Sequence, residues 1–125
     1  PPGYVFDAAS LARLRNAGCE VVLAPDPVLA VKGADVVYTD AWYSMGQEEE
    51  QAVRTAAFAD WRVDEALMAQ ASDRAIFLHC LPAHRGDEAT DAVLDGPSSR
   101  IWPQAYNRMH TKRGLLAWLL DERLR

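Results

Sequence analysis

The run Ala75-Ile76-Phe77-Leu78, leading straight into His79-Cys80-Leu81-Pro82, constrains the fold more than any other part of the chain. A short uninterrupted apolar run, stopped by a proline and a polar turn containing Gly86, reads as a strand buried on both faces. Strands of that kind belong to parallel sheets covered by helices. Such sheets place their ligand crevice beyond the carboxyl ends of the strands, so His79 and Cys80 fall where reactive side chains are expected. The same residues fit a duller reading, in which Cys80 is a buried thiol packing as a small hydrophobe.

Strands and helices alternate along the rest of the chain. Asp7 caps a helix to about Asn16, with Leu11 and Leu14 facing inward and Gly18 as its stop. Cys19 to Ala24 reads as a strand, and Pro25-Asp26-Pro27 starts a short helix ending at Gly33. Asp35 to Thr39 is a second β-branched strand. A polar segment, 47–60, carries Glu48-Glu49-Glu50. Helices are expected at Asp64–Ala71 and Asp87–Leu94, the latter stopped by Gly96-Pro97. Arg100 to Trp102 suggests a brief strand, and a last helix covers Ala105 to Leu120 or beyond. No repeat or linker divides residues 1–125. This alternation predicts one α/β domain, Rossmann-like and three-layered, with a mostly parallel sheet covered by helices on both faces.

The chain has 125 residues, 50% hydrophobic and 25% charged, which suits one soluble domain but is short for a two-substrate enzyme. A net charge of −5 with interspersed signs argues against a nucleic-acid partner. No apolar run is long enough to span a bilayer, so no membrane partner is expected. The start at Pro1-Pro2-Gly3 has no signal-peptide pattern and resembles a loop cut within a longer protein. Two cysteines, Cys19 and Cys80, make no disulfide framework, and reduced thiols in a cytoplasm are the expectation.

Two loops share the carboxyl edge of the sheet, Asp40 to Gln47 and His79 to Pro82. Geometry alone lets Asp40 and Cys80 open onto one crevice. Asp40 also suits a simple turn cap. Ser44 and Gln47 have capping-box spacing, which starts a helix and also suits an anion. Met45 fits core filling. Arg85-Gly86-Asp87 is read as a turn, not an adhesion tripeptide. His79, Cys80, His84 and His110 fit no common zinc spacing, so no metal is expected. Arg108 is either a solvated charge or an anion clamp.

Asp40-x-x-x-Ser44-Met45-Gly46, then His79-Cys80-Leu81-Pro82, then Asn107-Arg108 before a long helix, together resemble ornithine carbamoyltransferase over nearly the whole chain. Aspartate carbamoyltransferase is similar in fold but lacks the first two motifs. The resemblance is to the second, ornithine-binding domain, without the Ser-x-Arg-Thr-Arg loop of the carbamoyl-phosphate domain and without the opening strand and helix of its own domain. It implies transfer of a carbamoyl group from carbamoyl phosphate to L-ornithine, giving L-citrulline and phosphate, in arginine biosynthesis or a related route. Asp40, Ser44 and Met45 would hold ornithine. Cys80 would accept the proton beside the carbamoyl group, Leu81 would offer its carbonyl, and Arg108 would bind carbamoyl phosphate. No cofactor is implied, and the intact enzyme would be a homotrimer or a multiple of trimers. An isolated piece would be inactive, with an exposed apolar face on its last helix, which crosses to the first domain in the family. Alternatives are a putrescine or acylornithine carbamoyltransferase, a non-catalytic amino-acid-binding module, and a flavodoxin-like domain.

Overall fold

Two parallel strands, β1 (Val36–Thr39) and β2 (Ile76–His79), pair in a register that runs from Val36↔Ile76 to Thr39↔His79. The computed structural model that describes them covers residues 1–44 and 46–121. Parallel strands require a long crossover. Here it is helical: a 3-10 turn at Glu48–Glu50, α3 (Gln51–Phe58), a second 3-10 turn at Ala59–Trp61, and α4 (Glu65–Met68). Two helices precede β1, α1 (Ala8–Asn16) and α2 (Pro27–Val31), and two follow β2, α5 (Asp91–Leu94) and α6 (Ile101–Leu120). The parallel α/β class expected from the sequence is what forms. Among the described residues the sheet has two strands. The far edge of β2 is met by a single parallel bridge, in which Phe77 N–H donates to Ser98 O and Arg100 N–H donates to Phe77 O.

The pleat sorts the strand residues onto two faces. Phe77 and His79 turn into the core, where both are essentially sealed from solvent. Around Phe77 pack Val31, Val63, Leu67, Ala89, Val93, Leu94 and Ile101, with Val37 against them. Each fully buried large side chain contributes about 1.5–3 kcal/mol. The other face carries Tyr38 and Leu78, and it continues past the strand ends to Asp40 and Cys80. Helix α6 lies along β2, and a groove of about 660 Å³ between them is lined by Leu78, Gln104 and Arg108, among others.

Caps explain why the short helices form at all. Asp7, Asp26, Asp64 and Thr90 each accept the N–H three residues on, satisfying a donor that the first turn leaves free. At the far end of α1, Gly18 takes φ +83°, a conformation strained for any other residue. Gly96 answers a packing need, since a Cβ there would lie 2.3 Å from Ala92 O.

Several elements differ from the sequence expectation. Cys19 to Ala24 forms no strand: Val22 and Leu23 stay exposed, and β-branched residues make a strand only beside a partner. The polar stretch 47–60 is helical, held in part by the Arg54–Glu50 pair at 2.7 Å. Helix α4 is shorter than 64–71, because Gln70 and Ala71 tighten into i→i−3 bonds. Helix α5 starts at Asp91, not Asp87. Glu88 is instead buried in a turn, where its backbone O accepts from Val63 N–H. Ile101 and Trp102 open α6 in place of a strand, and Pro103 is tolerated because first-turn N–H groups have no helical partner. No residue of α1 is buried, so Leu11 and Leu14 do not face a core. The last helix does leave its apolar residues exposed: Tyr106, Met109, Leu115, Leu116, Trp118, Leu119 and Leu120 all face solvent. No described helix is long and apolar enough to cross a membrane.

Candidate functional site

The register decides the site. Thr39 lies opposite His79, so the next residue of each chain segment, Asp40 and Cys80, emerges at the same height on the same face. Cys80 Sγ donates to Asp40 Oδ1 at 2.7 Å. The same oxygen accepts from Ala41 N–H at 2.7 Å, so the simple turn role of Asp40 is realised as well. Across the end of β2, Arg108 Nη1 donates to Cys80 O at 2.9 Å. Asp40, Cys80, Leu81 and Arg108 are thereby brought together. Ser44 sits in the loop after Asp40, and its N–H donates to Gln47 Oε1 at 3.1 Å while Gln47 N–H returns to Ser44 O at 3.0 Å. This is the return half of the expected capping box, supplied by the Gln47 side chain, although the first helical turn begins only at Glu48. Met45 lies outside the described residues.

The turn at His79 to Pro82 is held in an unusual shape. Leu81 has φ 56°, a left-handed conformation that costs a non-glycine residue about 1–3 kcal/mol and that clusters at functional sites. The Leu81–Pro82 peptide is cis. His79 Nδ1 accepts from Leu81 N–H at 2.9 Å, which fixes the turn and leaves the ring proton on Nε2. Among the described residues, that buried Nε2 has no hydrogen-bond partner. Burial pushes the imidazole below its ordinary pKa and outweighs the opposing pull of Glu88 and Asp40, so His79 is neutral. It lies buried beneath the turn that carries Cys80.

Electrostatics set the state of the sulfur. Burial raises the Cys80 pKa, and the hydrogen bond to Asp40 and that carboxylate's charge raise it further. The resting group is a thiol that donates, not a thiolate. Two residues that sequence reasoning passed over complete the surround. Tyr38 stands on the same face of the sheet, and its own pKa is raised, chiefly by burial and further by Cys80. Gln104 Oε1 accepts from His79 N–H at 3.1 Å. Period-two alternation could have placed Tyr38 on the face of Asp40, but nothing in the sequence marks Gln104.

The neighbouring loop is tied down by a second cluster. Glu88, fully buried, accepts from His84 N–H at 2.9 Å and pairs with His84 Nδ1 at 2.8 Å. The His84 ring stacks on Tyr43, centroids 4.5 Å apart and planes 23° apart. Arg85 holds Asp95 and Asp91, which keeps the guanidinium charged and lowers the Asp95 pKa, so the Arg85-Gly86-Asp87 tripeptide is an internal turn. His110 lies edge-on to Tyr106. Among the described residues, no three His, Cys, Asp or Glu side chains converge as metal ligands.

The chain matches the family model described as "Aspartate/ornithine carbamoyltransferase, Asp/Orn binding domain" over residues 1–119. It is 54% identical over 121 residues to the ornithine carbamoyltransferase of Acidothermus cellulolyticus, covering 97% of this chain and 38% of that protein. The ornithine carbamoyltransferase of Oleidesulfovibrio alaskensis is 50% identical, with 97% and 40% covered. Among solved structures, the Pyrococcus furiosus ornithine carbamoyltransferase superposes with TM-score 0.83 at 45% identity, over 94% of this chain and 39% of that one. A mutant N-acetyl-L-ornithine transcarbamylase gives 0.77 at 31%, over 96% and 38%. The chain thus spans about 40% of the length of the relatives it matches. It belongs to the aspartate/ornithine carbamoyltransferase family, within its Asp/Orn binding domain.

Proposed function

We propose that this chain is the ornithine-binding half of an ornithine carbamoyltransferase, whose intact form converts carbamoyl phosphate and L-ornithine to L-citrulline and phosphate. The observation that carries the reading is the 2.7 Å contact between Cys80 Sγ and Asp40 Oδ1, with Arg108 bound to the carbonyl of the same cysteine. A primary alkyl amine has a pKa near ~10.4 and reaches the site as an ammonium, which cannot attack. One proton must leave first. The resting thiol and the carboxylate form a relay suited to that: the amine proton passes to Sγ as the Sγ proton passes to Asp40. The freed nitrogen attacks the carbamoyl carbon, the C–O bond to phosphorus breaks, and the departing phosphate takes the electron pair and the second amine proton.

Negative charge grows on the carbamoyl oxygen and the phosphate, and fixed cations must already face it. Arg108 supplies one, with fork geometry suited to phosphate. Asp40, Ser44 and Met45 hold the amino acid, and the Leu81 carbonyl meets the carbamoyl amide. The rest of the anion site belongs to a carbamoyl-phosphate domain, against which the exposed stripe of α6 would dock. No cofactor enters. The intact enzyme is placed in the cytoplasm, as a trimer or a multiple of trimers, in arginine biosynthesis.

Higher identity to ornithine than to acetylornithine enzymes favours the free amino acid as acceptor. The test is citrulline formation by the full-length protein supplied in parallel with ornithine, putrescine and N-acetylornithine. Ornithine should be the preferred acceptor, and this 125-residue chain alone should form no citrulline. Preference for either other amine, or turnover by the chain alone, would defeat the reading.

A further inference from the structure

We infer that Tyr43 and His84 form a joint between the two loops of the site, and that through it His84 acts as a positioning residue for the amino-acid end of the acceptor. The inference rests on the proposed function for its kinetic consequence, but its structural content stands apart. Tyr43 immediately precedes Ser44, and its ring lies flat on His84, centroids 4.5 Å apart. His84 is not free to move beneath it. Both its backbone N–H and its Nδ1 are held by Glu88, a carboxylate with no solvent exposure. Glu88 is in turn locked through its own backbone, which accepts from Val63. On the other side, Gln51 Nε2 donates to the Tyr43 hydroxyl at 2.9 Å, and Arg54 donates to Trp42 O at 3.3 Å. The loop after Asp40 is therefore pinned at Trp42 and Tyr43 from α3 and from the loop after Cys80.

A duller explanation exists: His84 merely satisfies a buried Glu88. It predicts a role in stability alone. The joint predicts more. Without it, the segment carrying Ser44 loses its fixed height relative to Cys80, while the Cys80–Asp40 contact, set by strand register, is untouched. Amino-acid affinity should fall and the chemical step should persist.

In the full-length protein, Tyr43→Ala and His84→Ala should each raise the ornithine KM about 3- to 10-fold, the scale of one aromatic pair. The kcat and the carbamoyl-phosphate KM should stay within about twofold. Tyr43→Phe keeps the stack and loses only the bond from Gln51, so its ornithine KM should rise less than that of Tyr43→Ala. The double variant should be no worse than the worse single one, since both remove the same contact. Tyr43→Ala leaves the Glu88–His84 pair intact, which covers the case where His84→Ala folds poorly. A fall in kcat with ornithine KM unchanged, or multiplying effects in the double variant, would overturn the inference. Amide hydrogen exchange at Ser44 without substrate gives a readout independent of catalysis. It should quicken in both alanine variants, and unchanged exchange would overturn the joint even if the protein proved to transfer no carbamoyl group. Absence of transfer by the original protein, with quickened exchange in the variants, would instead sink only the enzymatic reading.

Discussion

Replacing Arg108 tests the anion side of the site most sharply. Its Nη1 holds Cys80 O at 2.9 Å from an exposed position on α6, so one side chain both anchors the turn and presents a cation. A hydrogen bond involving a charged group is worth about 1.5–3 kcal/mol, which at 1.36 kcal/mol per decade is about 10- to 150-fold in rate. Solvent around Arg108 in the unliganded chain places the anchoring share at the low end of that range. The share directed at developing phosphate charge grows once substrate excludes water. Arg108→Ala in the full-length protein should therefore lower kcat/KM for carbamoyl phosphate by at least about tenfold, with a smaller effect on the ornithine KM. Arg108→Lys keeps the charge but loses the fork, and should fall between. The assay is initial-rate citrulline formation with carbamoyl phosphate varied at saturating ornithine. An alanine variant within about twofold of the original would refute the assignment of Arg108 to the anion.

Two further outcomes concern the support beneath the site. Gln104→Leu removes the acceptor of the His79 N–H and should cost about 1–3 kcal/mol, lowering the Tm of a chain this size by roughly 4–11 °C, whereas Gln104→Glu retains an acceptor and should lose less, as read by circular dichroism. Because burial depresses the His79 pKa, the unfolded chain binds that proton first as pH falls. The stabilising contribution is thus present above the ordinary value of about 6.5 and lost below it. Denaturant midpoints measured between about pH 7.5 and 5.5 should fall for the original chain and fall less for His79→Asn.

What the sequence made legible follows from how local each signal is. The β2 strand, expected one residue earlier, the cap at Asp7, the helix start at Pro25-Asp26-Pro27 and the stop at Gly18 are decided by a few neighbouring residues and form where expected, while Asp26 and Asp64 act as caps that had not been read. The approach of Asp40 to Cys80 was also legible, because parallel pairing of two recognisable strands leaves their carboxyl ends together. Elements that depend on distant partners were not. Val22 and Leu23 look like a strand but have no ladder to join. Ile101 looks like a strand residue but is buried as the first residue of α6. Asp87 and Glu88 looked like a helix start, yet Glu88 is buried by its bonds to His84 and Val63, neither of which composition could suggest. Helix α3 was hidden because the acidic run Glu48-Glu49-Glu50 before it marked the whole stretch as polar, although Ala52, Val53, Ala56, Ala57 and Phe58 are apolar, with Val53 left exposed. Tyr43, Tyr38 and Gln104 carry no motif of their own, and their place at the site arises from packing between segments far apart in the chain.

Alkylation of Cys80 is the most direct probe of the coupling between the sulfur and the carboxylate. With Asp40→Asn, the negative charge that disfavours the thiolate is gone, so iodoacetamide should modify Cys80 faster at a given pH, while exposed Cys19 serves as the unchanged internal reference in the same peptide map. A Cys80 rate that stays the same or slows in the asparagine variant would contradict the pairing on which the proposed relay depends.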